Sequence, residues 1–166
     1  MGRKQEAQVK RIFQNFSKQL EGNITEIIQL ATKETYDYID SISPIYTGSY
    51  ASNNQVIIKG VSPASPNVAT GSENRAAQKA GNAQAGPMGT PIGRFSGLIS
   101  EANQRAHRTA ESYFFPQTRR VTFINNSPHS TTVEEGGGKT SPYEVYGQGA
   151  TKFKQLIAAV KRQEGL

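Results

Sequence analysis

The residues best suited to chemistry lie in the last third of the chain. His129 is followed by Glu134 and Glu135, then by Gly136-Gly137-Gly138-Lys139-Thr140. An imidazole beside two carboxylates is the beginning of a metal site, and glycines ending in Lys-Thr are the beginning of a phosphate loop. Neither is completed. A zinc centre wants three or four N, S or O ligands in tight geometry. The only other histidine, His107, does not join the apolar stripe of its helical segment. A phosphate loop needs a glycine five positions before its last one, and Val133 stands there. Serines are common, yet no Gly-x-Ser-x-Gly elbow occurs. A two-carboxylate hydrolase holds its acids across a cleft, whereas neighbours on a strand face opposite sides. The reading is therefore of no catalytic residue, no metal ligand and no cofactor site, and the chain is not expected to be an enzyme.

Basic residues offer a different chemistry. Arg119 and Arg120 stand near Phe123, and Lys152, Lys154, Lys161 and Arg162 lie on a C-terminal helical segment, largely off its apolar face. The formal charge of +6 and pI near 9.6 favour polyanionic partners through counterion release. The cations are scattered, and no base-reading motif accompanies them. Solvated charge, or contact with other proteins, is the simpler reading.

The elements that position these groups follow from periodicity. Residues 5–42 carry one apolar stripe at three- and four-residue steps, including Val9, Ile12, Phe13, Phe16, Leu20, Ile24, Ile28, Ile39 and Ile42. Gly22-Asn23 interrupts it without breaking phase, which predicts a single long helix ending before Ser43-Pro44, with two helices as the alternative. A helix this long exceeds what a small sheet can cover, so its first turns are expected to reach another subunit. Residues 55–61 read as a strand. Residues 62–94 hold four prolines, five glycines, seven alanines and no aromatic residue. They are expected to form a flexible loop or interaction arm, because they bury too little apolar surface to offset ordering entropy. A second helix is predicted over residues 95–113, with Ser96 or Ser100 as N-cap. Residues 119–138 read as strand, turn, strand: Val121 and Phe123 alternate with polar positions, Asn125 to Pro128 turn the chain, and Thr131 and Val133 resume the alternation. Residues 139–149 read as loop, and Thr151 as the cap of a last helix bearing Phe153, Leu156, Ile157 and Val160.

The 166 residues suit one domain, residues 1–166, with a modest core. Hydrophobic residues are 35% and mean hydropathy is -0.59, low enough that part of the chain should lack a core of its own. There is no cysteine, which excludes disulfides and thiolate catalysis. The first residues run into an amphipathic pattern, so no secretory leader is expected, and no apolar run reaches membrane-spanning length. A soluble chain synthesised in the cytosol is expected.

Two segments together resemble the tailed-phage tail-completion family of neck, or head–tail joining, proteins. Ser43-Pro44-Ile45-Tyr46-Thr47-Gly48-Ser49-Tyr50 is similar to the family's S-P-x-x-T-G-x-L/Y lead-in to its first strand. Ile124-Asn125 through Pro128-His129-Ser130 to Val133-Glu134-Glu135-Gly136 resembles its N-x-x-P-Y-A-x-x-V-E-x-G hairpin. The motif positions are Pro44, Thr47, Gly48, Asn125, Pro128 and Gly136. Long helix, T-G strand, N-P…E-G hairpin and final helix occur in the family's order, over about 90 residues. Tyr46 stands where an acid is common and His129 where Tyr is common, and residues 62–94 with the following helix look like an insertion.

The resemblance implies an α+β fold, a long N-terminal helix packed on a small antiparallel sheet. It implies a structural virion protein of the neck or tail, assembled in the host cytoplasm as a hexameric ring between portal and tail-tube proteins. Genomic DNA would pass through such a ring without sequence-specific binding. No reaction, cofactor or membrane is involved. Subunit contacts would fall on Glu134, Glu135, Arg119, Arg120, Lys152 and Lys154, as a ring needs unlike patches that meet. Tail terminator, stopper and portal adaptor are alternative stations, and a basic nucleic-acid-binding module is the alternative of another class.

Overall fold

A computed structural model describes residues 3–82, 89–136 and 142–163, apart from the side chains of residues 3–10, 13, 161 and 163. The fold is α+β: helices surround a two-stranded antiparallel sheet. Helix α1, Arg3–Ile42, runs unbroken through Gly22, whose missing Cβ would meet nothing within 4 Å. A one-turn 3₁₀ helix, Ala51–Asn53, leads into strand β1, Asn54–Ile58. Helices α2, Gly71–Lys79, and α3, Phe95–Glu111, follow. Strand β2, Val121–Asn125, is succeeded by the short helix α4, Ser130–Glu135, and by helix α5, Val145–Gln163.

Strand β2 pairs with β1 in a register that sets Val56 opposite Phe123 and Asn54 opposite Asn125. One cluster joins Tyr36 of α1, Val56 of β1 and Ala106 of α3, with Val121 and Phe123 against it. A second joins Ile39 of α1, Tyr50 and Val145 of α5, and Phe123 touches this one too. An alanine stripe on α3, Ala102, Ala106 and Ala110, is buried, and its small side chains let α3 lie close to β1 and α1. Helix α5 lies along α1. A Cβ on Gly149 would come within 2.6 Å of Ile39 Cγ1, so this approach depends on glycine.

The predicted hairpin is corrected. The segment after Asn125 turns into α4 and not into a second strand, and the partner of β2 is β1. Thr131 to Val133 is too short a stretch to separate a two-residue period from a helical one. The turn decides it: Ser127 Oγ accepts from His129 N at 3.3 Å, and Val133 N donates to the His129 carbonyl at 3.1 Å, closing a helical turn.

The arm of residues 62–94 is also corrected, because much of it is tied to the body. Asn67 N donates to Asn53 Oδ1 at 2.8 Å, and Asn53 Nδ2 returns a bond to the Asn67 carbonyl at 2.8 Å. Gln55 Oε1 accepts from Ala64 N at 2.7 Å, while Asn126 Nδ2 donates to the Ala64 carbonyl. Buried Asn and Gln side chains thus stand in for the missing strand partner, satisfying backbone groups that apolar burial would have left stranded. Thr70 and Glu73 form a reciprocal capping box that starts α2, and Ala77 of α2 is fully buried. Arg94 Nε then pairs with Glu73 Oε1 at 2.9 Å. Asn82 Nδ2 donates to the Tyr46 carbonyl at 2.6 Å and to the Thr90 carbonyl at 2.8 Å.

Two predicted caps are displaced. Helix α3 begins after Arg94, with no side-chain cap from it. Thr151 lies inside α5, which begins six positions earlier, at Val145. The loop reading of residues 145–149 failed because two glycines lower helix propensity there.

Candidate functional site

Two of the residues singled out in the sequence, Glu134 and Asn125, meet at one junction. Glu134, in the last turn of α4, accepts from Tyr50 Oη at 2.6 Å on Oε1 and from Tyr146 N at 3.0 Å on Oε2. Tyr146 is the second residue of α5, so a carboxylate from α4 caps the N-terminus of α5, where the helix dipole favours negative charge. Tyr146 Oη reaches back to Asn54 Oδ1 at 2.8 Å. The same oxygen accepts from Asn125 Nδ2 at 2.8 Å, and Asn54 Nδ2 donates to Ser43 Oγ at 2.8 Å. Tyr50 closes the circuit, its carbonyl accepting from Asn125 Nδ2 at 2.9 Å. The two motif stretches, separated by some seventy positions of sequence, are thereby locked together.

Burial drives the Tyr50 hydroxyl far above the ordinary tyrosine range, and its bond to Glu134 and the neighbouring Tyr146 add to this. Tyr146 is raised as well, chiefly by burial, with Tyr36 and Glu134 contributing. Both hydroxyls therefore remain neutral donors throughout the physiological range. The arrangement is a hydrogen-bond circuit that sets where α4 and α5 stand against the sheet.

Over this circuit lies a groove of about 420 Å³, lined from one side by Pro44, Tyr46 and Thr47 and from the other by Ser127, His129 and Val133. The Tyr46 hydroxyl is held by the Asn74 carbonyl at 3.1 Å, which binds α2 to one rim. Gly48 sits behind the groove at φ +101, Pro128 is exposed and Gly136 ends α4 as its C-cap.

Glu134 and Glu135 part company. Glu134 is half-buried with both oxygens engaged inside the chain, whereas Glu135 is exposed. On a helix, adjacent residues diverge by about 100°, and here one turns inward and the other outward. Arg119 and Arg120 are exposed just before β2. Arg119 shares a cleft of about 340 Å³ with Lys154, floored by Ile28, Phe123 and Phe153. Lys152 lies elsewhere, its ammonium 6.0 Å from the centre of the Tyr38 ring. Gly137, Gly138, Lys139 and Thr140 lie outside the described residues.

The sequence reading missed Tyr50, Asn54, Tyr146 and the buried Asn53 and Gln55. The available signal was the polar run Asn53-Asn54-Gln55 leading directly into Val56-Ile57-Ile58. Three amides at the mouth of a buried strand imply that each finds a partner.

A second buried group carries a cost. The Asp40 carboxyl is pushed above its usual range by burial; the bond from Asn103 Nδ2, 3.1 Å from Oδ2, works against this, and Asp37 adds to it. Its Oδ1 makes no hydrogen bond. A carboxyl whose folded pKa exceeds the unfolded one gives stability that is present at low pH and lost as pH rises through the folded value. Asp40→Asn is therefore expected to raise stability at pH 7 by roughly 1 kcal/mol. The gain should vanish below about pH 4, where both states of the wild type hold the proton. Urea melts of the two proteins at both pH values measure it.

Among the described residues no group of three or more His, Cys, Asp or Glu could hold a metal ion, and no helix is long and apolar enough to cross a membrane. Comparison with protein families, with curated proteins and with solved structures finds no match to this chain.

Proposed function

We propose that this chain is a structural subunit of the neck or tail-completion apparatus of a tailed phage, joining head to tail as a member of a homo-oligomeric ring. The observation that carries the reading is the convergence of the two motif stretches. Residues 43–50 and 124–136 line opposite sides of one groove and are bonded through Asn125, Tyr50 and Glu134. The two stretches that carry the resemblance thus meet at one place in this fold. The junction is built for rigidity, which suits a ring bracket bearing load between two larger assemblies.

Glu134 is spent on holding α5, so of the two carboxylates Glu135 is the one free to meet a basic neighbour. Portal and tail-tube proteins are the proposed unlike partners. The test is the mass of the full chain by light scattering, alone and mixed with portal or tail-tube protein. A defined ring, or a stoichiometric complex with either partner, is the expected result. A chain that remains monomeric in every mixture contradicts it. Within that assay Glu135→Lys should weaken assembly while leaving the melting curve in place.

The cleft rimmed by Arg119 and Lys154 favours one second reading, contact with a polyanion such as DNA. Binding to duplex DNA that falls steeply with salt, and weakens when both cations become alanine, would support it.

A further inference from the structure

Strand β2 is covered along its length only in part: Val121 and Phe123 are half-buried, as are the residues between and after them. Beside it Phe153 of α5 meets Phe123 edge-on, ring centres 6.2 Å apart, and is half-buried too. With Ile28 of α1 these side chains floor the cleft of about 340 Å³, whose rim carries Arg119 and Lys154. Among the described residues no acidic side chain lines this cleft, and neither cation enters an ion pair. An apolar floor under a cationic rim fits an apolar side chain flanked by carboxylates. A phosphate backbone would meet the rim and leave the phenylalanines uncovered. An apolar cavity of about 150 Å³ already admits a benzene ring, so an aliphatic side chain has room.

The chain carries such a group itself. Six large apolar side chains are exposed among the described residues: Ile12, Phe16, Leu20, Leu30, Val68 and Phe114. Only Leu30 has a carboxylate four positions away on both sides, Glu26 and Glu34. On a helix these lie within about 40° of Leu30 to either side and about 12 Å apart along the axis, a single ridge. All three are exposed, Leu30 by 54%. Among the described residues neither Glu26 nor Glu34 enters an ion pair. The charges next to them are already engaged, Lys33 with Glu111 at 2.6 Å and Asp37 with His107 at 2.7 Å. Ridge and cleft lie on different sides of α1. Leu30 and Ile28, which floors the cleft, point about 160° apart around the helix. The ridge cannot enter the cleft of its own chain, but a second copy can supply it.

We infer that the ridge of Glu26, Leu30 and Glu34 on one copy seats in the cleft of the next, Leu30 against Phe123 and Phe153 and the carboxylates against Arg119 and Lys154. The contact joins unlike patches, so each copy gives one ridge and receives one, the heterologous arrangement from which rings close. That copies associate at all rests on the reading proposed above. The choice of ridge and cleft rests on their shape and charge.

Carbodiimide, which joins Lys to Glu only in direct contact, tests this on the wild-type full chain. Isotope-labelled and unlabelled protein are mixed, so that only links between copies give hybrid masses. Links from Lys154 of one copy to Glu26 or Glu34 of another are expected. Assembled protein in which Lys154 links elsewhere, or not at all, would overturn the inference and leave the ring reading standing, whereas a monomer overturns both. As a second readout, Arg119→Glu with Lys154→Glu, and separately Glu26→Lys with Glu34→Lys, should each weaken self-association more than about tenfold without moving the melting curve. An equimolar mixture of the two variants should associate again, since each offers the other a complementary surface. A mixture that stays apart would overturn the pairing. Undiminished self-association with loss of duplex-DNA binding in the first variant would assign the cleft to DNA and overturn the inference.

Discussion

Gly48→Ala is expected to lower stability by about 3 kcal/mol, the sum of a backbone and a packing cost. The residue sits at φ +101, where an L side chain is strained. A Cβ there would lie 2.7 Å from Phe95 Cβ and 3.3 Å from Pro91 Cβ. Neither atom can swing aside, since both are fixed to the backbone. Phe95 is fully buried, and Ile92 N holds the Thr47 carbonyl at 2.9 Å, so the α3 lead-in is pinned to this turn. Gly60→Ala is the control. It shares a positive φ of +86 but would meet nothing within 4 Å, so it should lose only the backbone share, about 1 kcal/mol. Denaturant melts of the two variants separate the terms. Equal losses would show that Phe95 and Pro91 do not confine Gly48.

Glu134→Ala is expected to cost nearly as much, about 3 kcal/mol, and Glu135→Ala under about 0.5 kcal/mol. The first strands the buried Tyr50 hydroxyl and removes the acceptor from Tyr146 N at the start of α5. The second removes an exposed carboxylate. Tyr50→Phe in the Glu134→Ala background should then cost little more, because the partner bond is already gone. Thermal melts of the four proteins check the pattern. A Glu134→Ala protein as stable as Glu135→Ala would remove the carboxylate from the junction.

These two sites show what could be read beforehand and what could not. The long helix was legible because its stripe keeps phase for ten turns, and β1, β2 and α3 were legible from local pattern. Glu134 was visible as chemistry, but its role was not. Its partners, Tyr50 from 84 positions away and Tyr146 from the next helix, are linked to it by no spacing rule. The cap of α5 was invisible for the same reason: it is supplied by another element, while Thr151 offered a plausible local one. Residues 62–94 looked unable to fold because apolar content was the only measure applied. Asn53, Gln55, Asn82 and Asn126 hold that segment by its backbone, and amides aimed at distant carbonyls leave no periodicity.

The apolar stripe of α1 was half legible. Periodicity placed Ile12, Phe16 and Leu20 on one stripe with the core residues, as if a single face were being buried. In the fold Ile39 enters the core, whereas Ile12, Phe16 and Leu20 stay exposed, as does Leu30.

Under the reading proposed above, copies of this chain grip one another as subunits of an assembly. Native mass spectrometry of the wild-type full chain over a range of concentrations decides the matter. A closed homo-oligomer of one defined size, a hexamer by the family resemblance, is the predicted result. A monomer at every concentration would contradict it.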